Sequence, residues 1–197
     1  PTTTQAARAA RAAFASRLRA KAKERRIWLA GCSLVEGYNT LVLIAPDGNI
    51  AARYRKIHLF DVPGLGSESR YMRAGSEVVT AKIGDLKIGF AICYDLRFPE
   101  LLRAQAADLY LVPSAFTEKT GRDHWEVLLR ARAIENIAYV VAPNQEGELS
   151  TGTRTWGHSM IVDPCGRVLA EATAEGAVVA EIDPKRLAEA RAALPAL

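Results

Sequence analysis

The sequence predicts an α/β layered domain. Three observations carry that prediction. Short apolar runs rich in β-formers recur along the chain. Stretches with helical period separate several of them, which is the pattern of β-α-β units. Turn signals join others into hairpins. The 197 residues are 49% hydrophobic and 24% charged, enough for one globular domain with a core. No internal repeat, low-complexity linker or composition shift divides residues 1–197, so a single domain is expected.

Thr4–Arg26 reads as an amphipathic helix. Ala7, Ala10, Phe14, Leu18 and Ala22 recur at helical spacing, Arg and Lys fill the other sides, and Thr2, Thr3 or Thr4 is available as a cap. Ile27–Cys32 is the first strand. Thr40–Ala45 and Ile50–Tyr54 form a hairpin around Pro46-Asp47-Gly48-Asn49, a strong turn sequence. Lys56 follows, flanked by Tyr54 and Ile57-His58-Leu59-Phe60, a setting that predicts partial burial and hence a partner. Asp61–Gly75, with Pro63, Gly64 and Gly66, has no periodicity and reads as a binding loop or lid.

Leu86–Ile92 is a buried strand that delivers Cys93 to a turn. Pro99 and Glu100 then start a helix, which runs to Ala106 without a glycine cap. Leu109–Pro113 completes a β-α-β unit, whose functional loops lie at the C-terminal ends of its strands. Asp123 opens a helix through Asn136, with Glu126 placed to close a capping box. Ile137–Ala142, Gly157–Asp163, Arg167–Ala170 and Ala177–Ile182 are strands, with a Pro164-Cys165-Gly166 turn among them. Leu187–Leu194 is a short last helix.

Composition narrows the function classes. Cys32, Cys93 and Cys165 are odd in number and widely spaced, with no C-x-x-C pair. They indicate neither a zinc site nor a disulfide framework, and a reducing cytoplasm is the simplest setting. No apolar run is long enough to span a bilayer, and the first residues lack the apolar core of a signal peptide. The net charge of +4 owes much to Arg8–Arg26. That basic face is the only feature favouring a nucleic-acid or membrane binder, and no phosphate loop or RNA-binding signature supports it. A solvated helix face is the preferred reading.

Cys93 is the residue with chemistry to offer. A thiol on a strand-to-helix turn has orphan backbone N–H groups and a helix dipole beside it, which favour the thiolate and can hold an oxyanion. Taken alone, a cysteine after an apolar strand is more often plain packing.

The strings YRKIHLF (Tyr54–Phe60), ICYDLRFPE (Ile92–Glu100), HWEVLLRARAIEN (His124–Asn136) and GHSMIVDPCG (Gly157–Gly166) occur in the order found in the carbon–nitrogen hydrolase (nitrilase) superfamily. The chain resembles that family over nearly its whole length, and most of all its Nit-type branch of deaminated glutathione amidases and ω-amidases. The resemblance implies a four-layer α-β-β-α sandwich that pairs helix to helix in a homodimer or higher homo-oligomer. It implies hydrolysis of a small linear amide through a Cys thioester, with release of ammonia and without metal or organic cofactor. By motif the nucleophile is Cys93, the catalytic lysine Lys56 and the second glutamate Glu126, which would hold Lys56 or position the amide. Tyr94, through its backbone N–H, is the oxyanion donor beside Lys56, and Arg97 and the Asp61–Gly75 loop are substrate contacts. Nucleic acid and membrane are not among the implied partners.

The sequence also departs from the family pattern. The general-base glutamate of the family comes from an opening β-α-β portion that precedes the first helix, and neither Glu24 nor Glu36 matches its motif. Val35-Glu36-Gly37-Tyr38 joins two strands where relatives have a longer loop. Cys165 stands where relatives commonly carry Trp. The expectation is that this sequence is part of a longer polypeptide. The alternative is a catalytically inactive binding or scaffold relative that lacks the base.

Overall fold

The computed structural model describes residues 3–149 and 152–196. Their contacts group into two compact units, Pro1–Val79 and Thr80–Leu197.

The first unit is a helix on a three-stranded antiparallel sheet. Helix α1 (Thr3–Arg25) precedes strands β1 (Leu29–Val35), β2 (Tyr38–Ile44) and β3 (Ile50–Arg55), ordered β1-β2-β3. Phe14 and Leu18 pack on Ala22, Val42 and Ile44, as the helical spacing predicts. Gly31 has no side chain because Leu18 and Phe14 fill its place: a Cβ there would lie 2.6 Å from the Leu18 side chain. Thr2, offered as a cap, and the side chains of Ala7, Ala10, Arg8 and Arg11 lie outside the described residues. The first strand begins two residues later than expected. Arg26 adopts φ +53 to end the helix, which leaves Ile27 in the connection and 45% exposed. The β2–β3 turn forms as read: Asp47 accepts the Asn49 N–H, and Gly48 takes φ +86. The short β1–β2 connection is a two-residue turn, with Glu36 at φ +52 and Gly37 at φ +81. That pair of left-handed residues matches the twist of a tight hairpin. The Asp61–Gly75 stretch is not featureless. It carries the small hairpin β4 (Asp61–Val62) with β5 (Gly66–Ser67), then a 3₁₀ turn at Glu68–Arg70.

The second unit is a six-stranded mixed sheet. Strands β6 (Thr80–Ile83) and β7 (Leu86–Phe90) form a hairpin, and helix α2 (Pro99–Gln105) crosses over to β8 (Leu109–Leu111). Helix α3 (Glu118–Asn136) then crosses to β9 (Tyr139–Ala142), and β7, β8 and β9 run parallel. Beyond the hairpin β10 (Glu146–Glu148) and β11 (Arg154–Trp156), the antiparallel β12 (Met160–Val162) and β13 (Val168–Glu171) complete the order β13-β12-β9-β8-β7-β6. Helix α4 (Pro184–Ala193) follows. Asp183 caps it, and Arg191 ties it to Asp108 at 2.5 Å. The parallel strands carry the buried core of this unit: Ile88, Phe90, Tyr110, Tyr139 and Val140 are buried. The Gln105 amide bonds both the N–H and the C=O of Phe90, at 2.6 and 2.8 Å, continuing the sheet pairing with a side chain. Each unit is thus helix against sheet, the α/β class expected, and the pairing from which an α-β-β-α sandwich is built.

Two expectations are corrected and a third is explained. Helix α3 starts at Glu118 with Thr117 as N-cap, five residues before Asp123, so Asp123 and Glu126 lie in its interior and form no capping box. Residues 177–182 form no strand: Val178 and Ile182 are half-buried and Val179 is 88% exposed, an alternation without a ladder to join. Helix α2 ends without glycine because Ala106 itself takes the left-handed cap, at φ +45.

The early start of α3 places Gly121 in its first turn, against Trp156. An added Cβ would lie 2.4 Å from the Trp156 Cβ. Helix propensity alone would favour Ala there by about 1 kcal/mol, whereas overpacking costs about 1–3 kcal/mol. Gly121→Ala therefore lowers the urea midpoint of unfolding, and a raised midpoint would contradict this packing.

Candidate active site

Cys93 lies where β7 ends. The chain passes from extended Ile92 (φ −126) into a five-residue 3₁₀ turn, Cys93–Arg97, and Cys93 heads it at φ +51. A non-glycine residue in the left-handed region carries strain of about 1–3 kcal/mol and is held there only by its surroundings. Those surroundings are visible. The Cys93 N–H donates to Pro113 O at 3.1 Å, anchoring the turn on the end of β8. Asp95 is fully buried, and its carboxylate accepts the Ile92 N–H at 3.0 Å. Arg132 of α3, 6% exposed, donates from Nε to Leu96 O at 2.9 Å and pairs with Glu135 at 3.0 Å. Cys93 is partly exposed, on a turn fixed by a buried carboxylate and a buried guanidinium.

Tyr94 and Arg97 share that turn. The Arg97 guanidinium lies over the rings of Tyr94 (5.8 Å) and Phe116 (5.2 Å), with Nη2 3.2 Å from His124 Nδ1. Tyr94 meets Phe98, the N-cap of α2, edge to face at 5.5 Å. The turn presents a thiol, a guanidinium and aromatic faces within one short segment. That grouping can bind a small molecule carrying a carboxylate.

Lys56 directly follows β3 in the first unit and is fully buried. Its ammonium lies 2.5 Å from Glu68 Oε2, and the same oxygen accepts the Phe60 N–H at 2.8 Å. The Lys56 N–H donates to Asn39 O and its carbonyl accepts from Gly75. The predicted burial holds, but the partner is Glu68. Glu126 instead pairs with Arg130 one turn along α3, on the surface, with its side chain 52% exposed. Glu68 was missed because no local pattern marks it: it sits in the aperiodic loop, twelve residues from the lysine it holds. Asp95 and Arg132 lie inside motifs quoted for other residues. Among the described residues, no group of three or more His, Cys, Asp and Glu is placed to hold a metal ion. No described helix is long and apolar enough to cross a membrane.

The carbon–nitrogen hydrolase family profile matches residues 1–192. This chain belongs to the carbon–nitrogen hydrolase family. A deaminated glutathione amidase of Synechocystis sp. is 48% identical over 172 residues, covering 82% of this chain and 63% of that protein. Human omega-amidase NIT2 is 41% identical over 187 residues, covering 88% of this chain and 68% of NIT2. The C. elegans NitFhit crystal structure superposes with a TM-score of 0.87 at 38% identity, covering 96% of this chain and 50% of that one. An amidase from Nesterenkonia sp. AN1, 30% identical with a TM-score of 0.76, covers 94% of this chain and 74% of its own; it was solved with acrylamide added to its active-site cysteine. The present carbon–nitrogen hydrolase chain spans about six tenths of the length of the deaminated glutathione amidases it matches, 63% and 57% for those of Synechocystis and Dictyostelium discoideum.

The loop carrying Glu68 is held by Asp61, whose Oδ1 accepts from the Ser69 N–H (3.0 Å) and the Ser67 hydroxyl (3.1 Å). The Ser69 N–H is the main reason the Asp61 carboxyl titrates below its ordinary 3.8. A lowered carboxyl contributes order that is present above the ordinary value and is lost as pH falls through the depressed one. The Ser69 amide should stay protected from hydrogen exchange through mildly acidic pH and lose protection only below the usual carboxylate range. Asp61→Asn should expose it at neutral pH; unchanged protection in that variant would contradict the Asp61 tether.

Proposed function

We propose that the chain hydrolyses the C–N bond of a small linear amide, of the deaminated glutathione or ω-amide type, through a thioester on Cys93, releasing ammonia. The observation that carries this reading is Cys93 itself: a partly exposed residue held at φ +51 at the head of a turn whose geometry is fixed by Asp95 and Arg132. Backbone strain held by buried polar groups clusters at functional sites, which supports a chemical role for this side chain. Family membership and the amidase names of the similar proteins support the same reading.

In this reading the Cys93 thiolate attacks the amide carbon and forms a tetrahedral adduct. The adduct's oxygen takes hydrogen bonds from the Lys56 ammonium and the Tyr94 backbone N–H. The thiol proton has to pass to a carboxylate that hands it to the leaving ammonia and then activates the water that cleaves the thioester, a role that none of the quoted motifs assigns to a residue of this sequence. Glu68 holds and aims the Lys56 side chain, the part first given to Glu126. Arg97 binds a carboxylate at the far end of the substrate. The reading requires Lys56 and Cys93 to serve one substrate, and it takes the working protein to be a homodimer or higher homo-oligomer in the cytoplasm, needing no cofactor.

Ammonia release from α-ketoglutaramate or deaminated glutathione tests it. Cys93→Ala should abolish release, and Lys56→Met should lower kcat by about 10²–10³-fold, the scale for an oxyanion donor. Arg97→Ala should mainly raise KM. Release that persists in Cys93→Ala would overturn the proposal.

A further inference from the structure

The Lys56–Glu68 pair depends on a loop with little apolar packing of its own: Asp61, Ser69, Arg70 and Tyr71 are all exposed. Backbone bonds carry its order from Glu68 onward. Glu68 O accepts the N–H groups of both Tyr71 and Met72, each at 2.9 Å. The next residue, Arg73, leaves the loop and grips the β1–β2 turn. Its N–H donates to Gly37 O at 2.8 Å, and its Nη2 donates to Glu36 O at 2.7 Å. Those two carbonyls belong to the only residues of the two-residue turn, and the left-handed conformations of Glu36 and Gly37 set how they are presented. The Arg73 guanidinium also lies 4.4 Å from the centroid of the Tyr38 ring, with Arg55 at 4.1 Å from the same ring. The Glu36 carboxylate pairs with Arg55, so Arg73 is held by carbonyls and a ring and not by that carboxylate. Two residues on, the Gly75 N–H returns to Lys56 O at 2.8 Å; a Cβ at Gly75 would come 2.3 Å from Arg55 O, so the strand end and the loop meet backbone to backbone.

We propose that Arg73 is a positioning residue that latches the 61–75 loop to the Glu36–Gly37 turn and thereby fixes Glu68 on the Lys56 ammonium. Arg73 touches neither Lys56 nor Glu68 in these bonds. It acts through one hydrogen-bonded turn, by setting where the Glu68 carboxylate stands relative to a lysine whose own backbone is pinned on both sides. Its effect on turnover rests on the amidase reading; its effect on Lys56 does not.

The test is trace acetylation of the folded chain by acetyl N-hydroxysuccinimide ester, read peptide by peptide by mass spectrometry, with exposed Lys21 as internal standard. Wild-type Lys56 should be strongly protected. In Arg73→Ala its labelling relative to Lys21 should rise about tenfold while the thermal midpoint stays near wild type, as local opening without global unfolding demands. Arg73→Gln, whose amide can still donate to Glu36 O, should recover part of the protection. Glu68→Gln sets the scale for a lost pair. Wild-type labelling of Lys56 in Arg73→Ala, against raised labelling in Glu68→Gln, would overturn the proposal; so would wild-type labelling in both, by removing the hold itself. With an amide substrate, kcat of Arg73→Ala should fall about tenfold with KM little changed, since the loss is one of alignment. If the wild type releases no ammonia, the amidase reading fails while the labelling still decides the latch.

Discussion

A buried ammonium is the constraint around which the first unit is built. Lys56 has no exposed surface, and an isolated charge in that state costs several kcal/mol or more in lost hydration. The Glu68 carboxylate offsets that cost at 2.5 Å, so the loop that carries Glu68 cannot be a loose connection. It has its own hairpin, its own Asp61 tether and a continuous run of backbone bonds back to the strand it left. The tight Glu36–Gly37 turn belongs to the same arrangement, because its carbonyls receive the far end of that loop. Sequence features that look unrelated, a left-handed glutamate and a glycine that cannot bear a side chain, serve one electrostatic requirement.

The second unit repeats the logic with strain in place of charge. Cys93 is held in a backbone state that most residues avoid, and the groups that hold it are buried and polar: Asp95 beneath the turn and Arg132 on its carbonyl. Replacing Asp95 or Arg132 with an apolar residue would leave the Ile92 N–H or the Leu96 carbonyl without its partner and would release the turn. Both units thus keep one side chain in an unfavourable state by surrounding it with satisfied polar partners. The family motifs accordingly extend well beyond Lys56 and Cys93. The DLR of ICYDLRFPE and the RAR of HWEVLLRARAIEN hold the frame in which the cysteine stands.

Much of this was legible in the sequence because it is local. The strand ending at Cys93, the Pro99 helix start, the Asp47-Gly48 turn and the need of Lys56 for a partner all follow from neighbours within a few residues. What the sequence did not yield is tertiary. Asp123 and Glu126 have the spacing of a capping box, but that spacing also recurs inside any helix, and α3 starts at Glu118 with no side-chain cap to mark it in the sequence. Ala177–Ile182 alternates like a strand, yet a strand exists only where a ladder receives it. Glu68 lies in a stretch without period, so nothing short of the folded loop connects it to Lys56. The family resemblance singled out Cys93, Lys56 and Glu126 by motif; Lys56 is buried on Glu68, whereas Glu126 lies on the surface, paired with Arg130.

The most direct test of the account is to look for the covalent intermediate. The protein is mixed with α-ketoglutaramate or deaminated glutathione, quenched in acid within the first turnovers, and digested for mass spectrometry. An acyl adduct is expected on the Cys93 peptide, with the mass of the substrate less ammonia, absent from Cys93→Ala and reduced in Lys56→Met. Ammonia release without any adduct at Cys93, or an adduct on Cys32 or Cys165 instead, would contradict it.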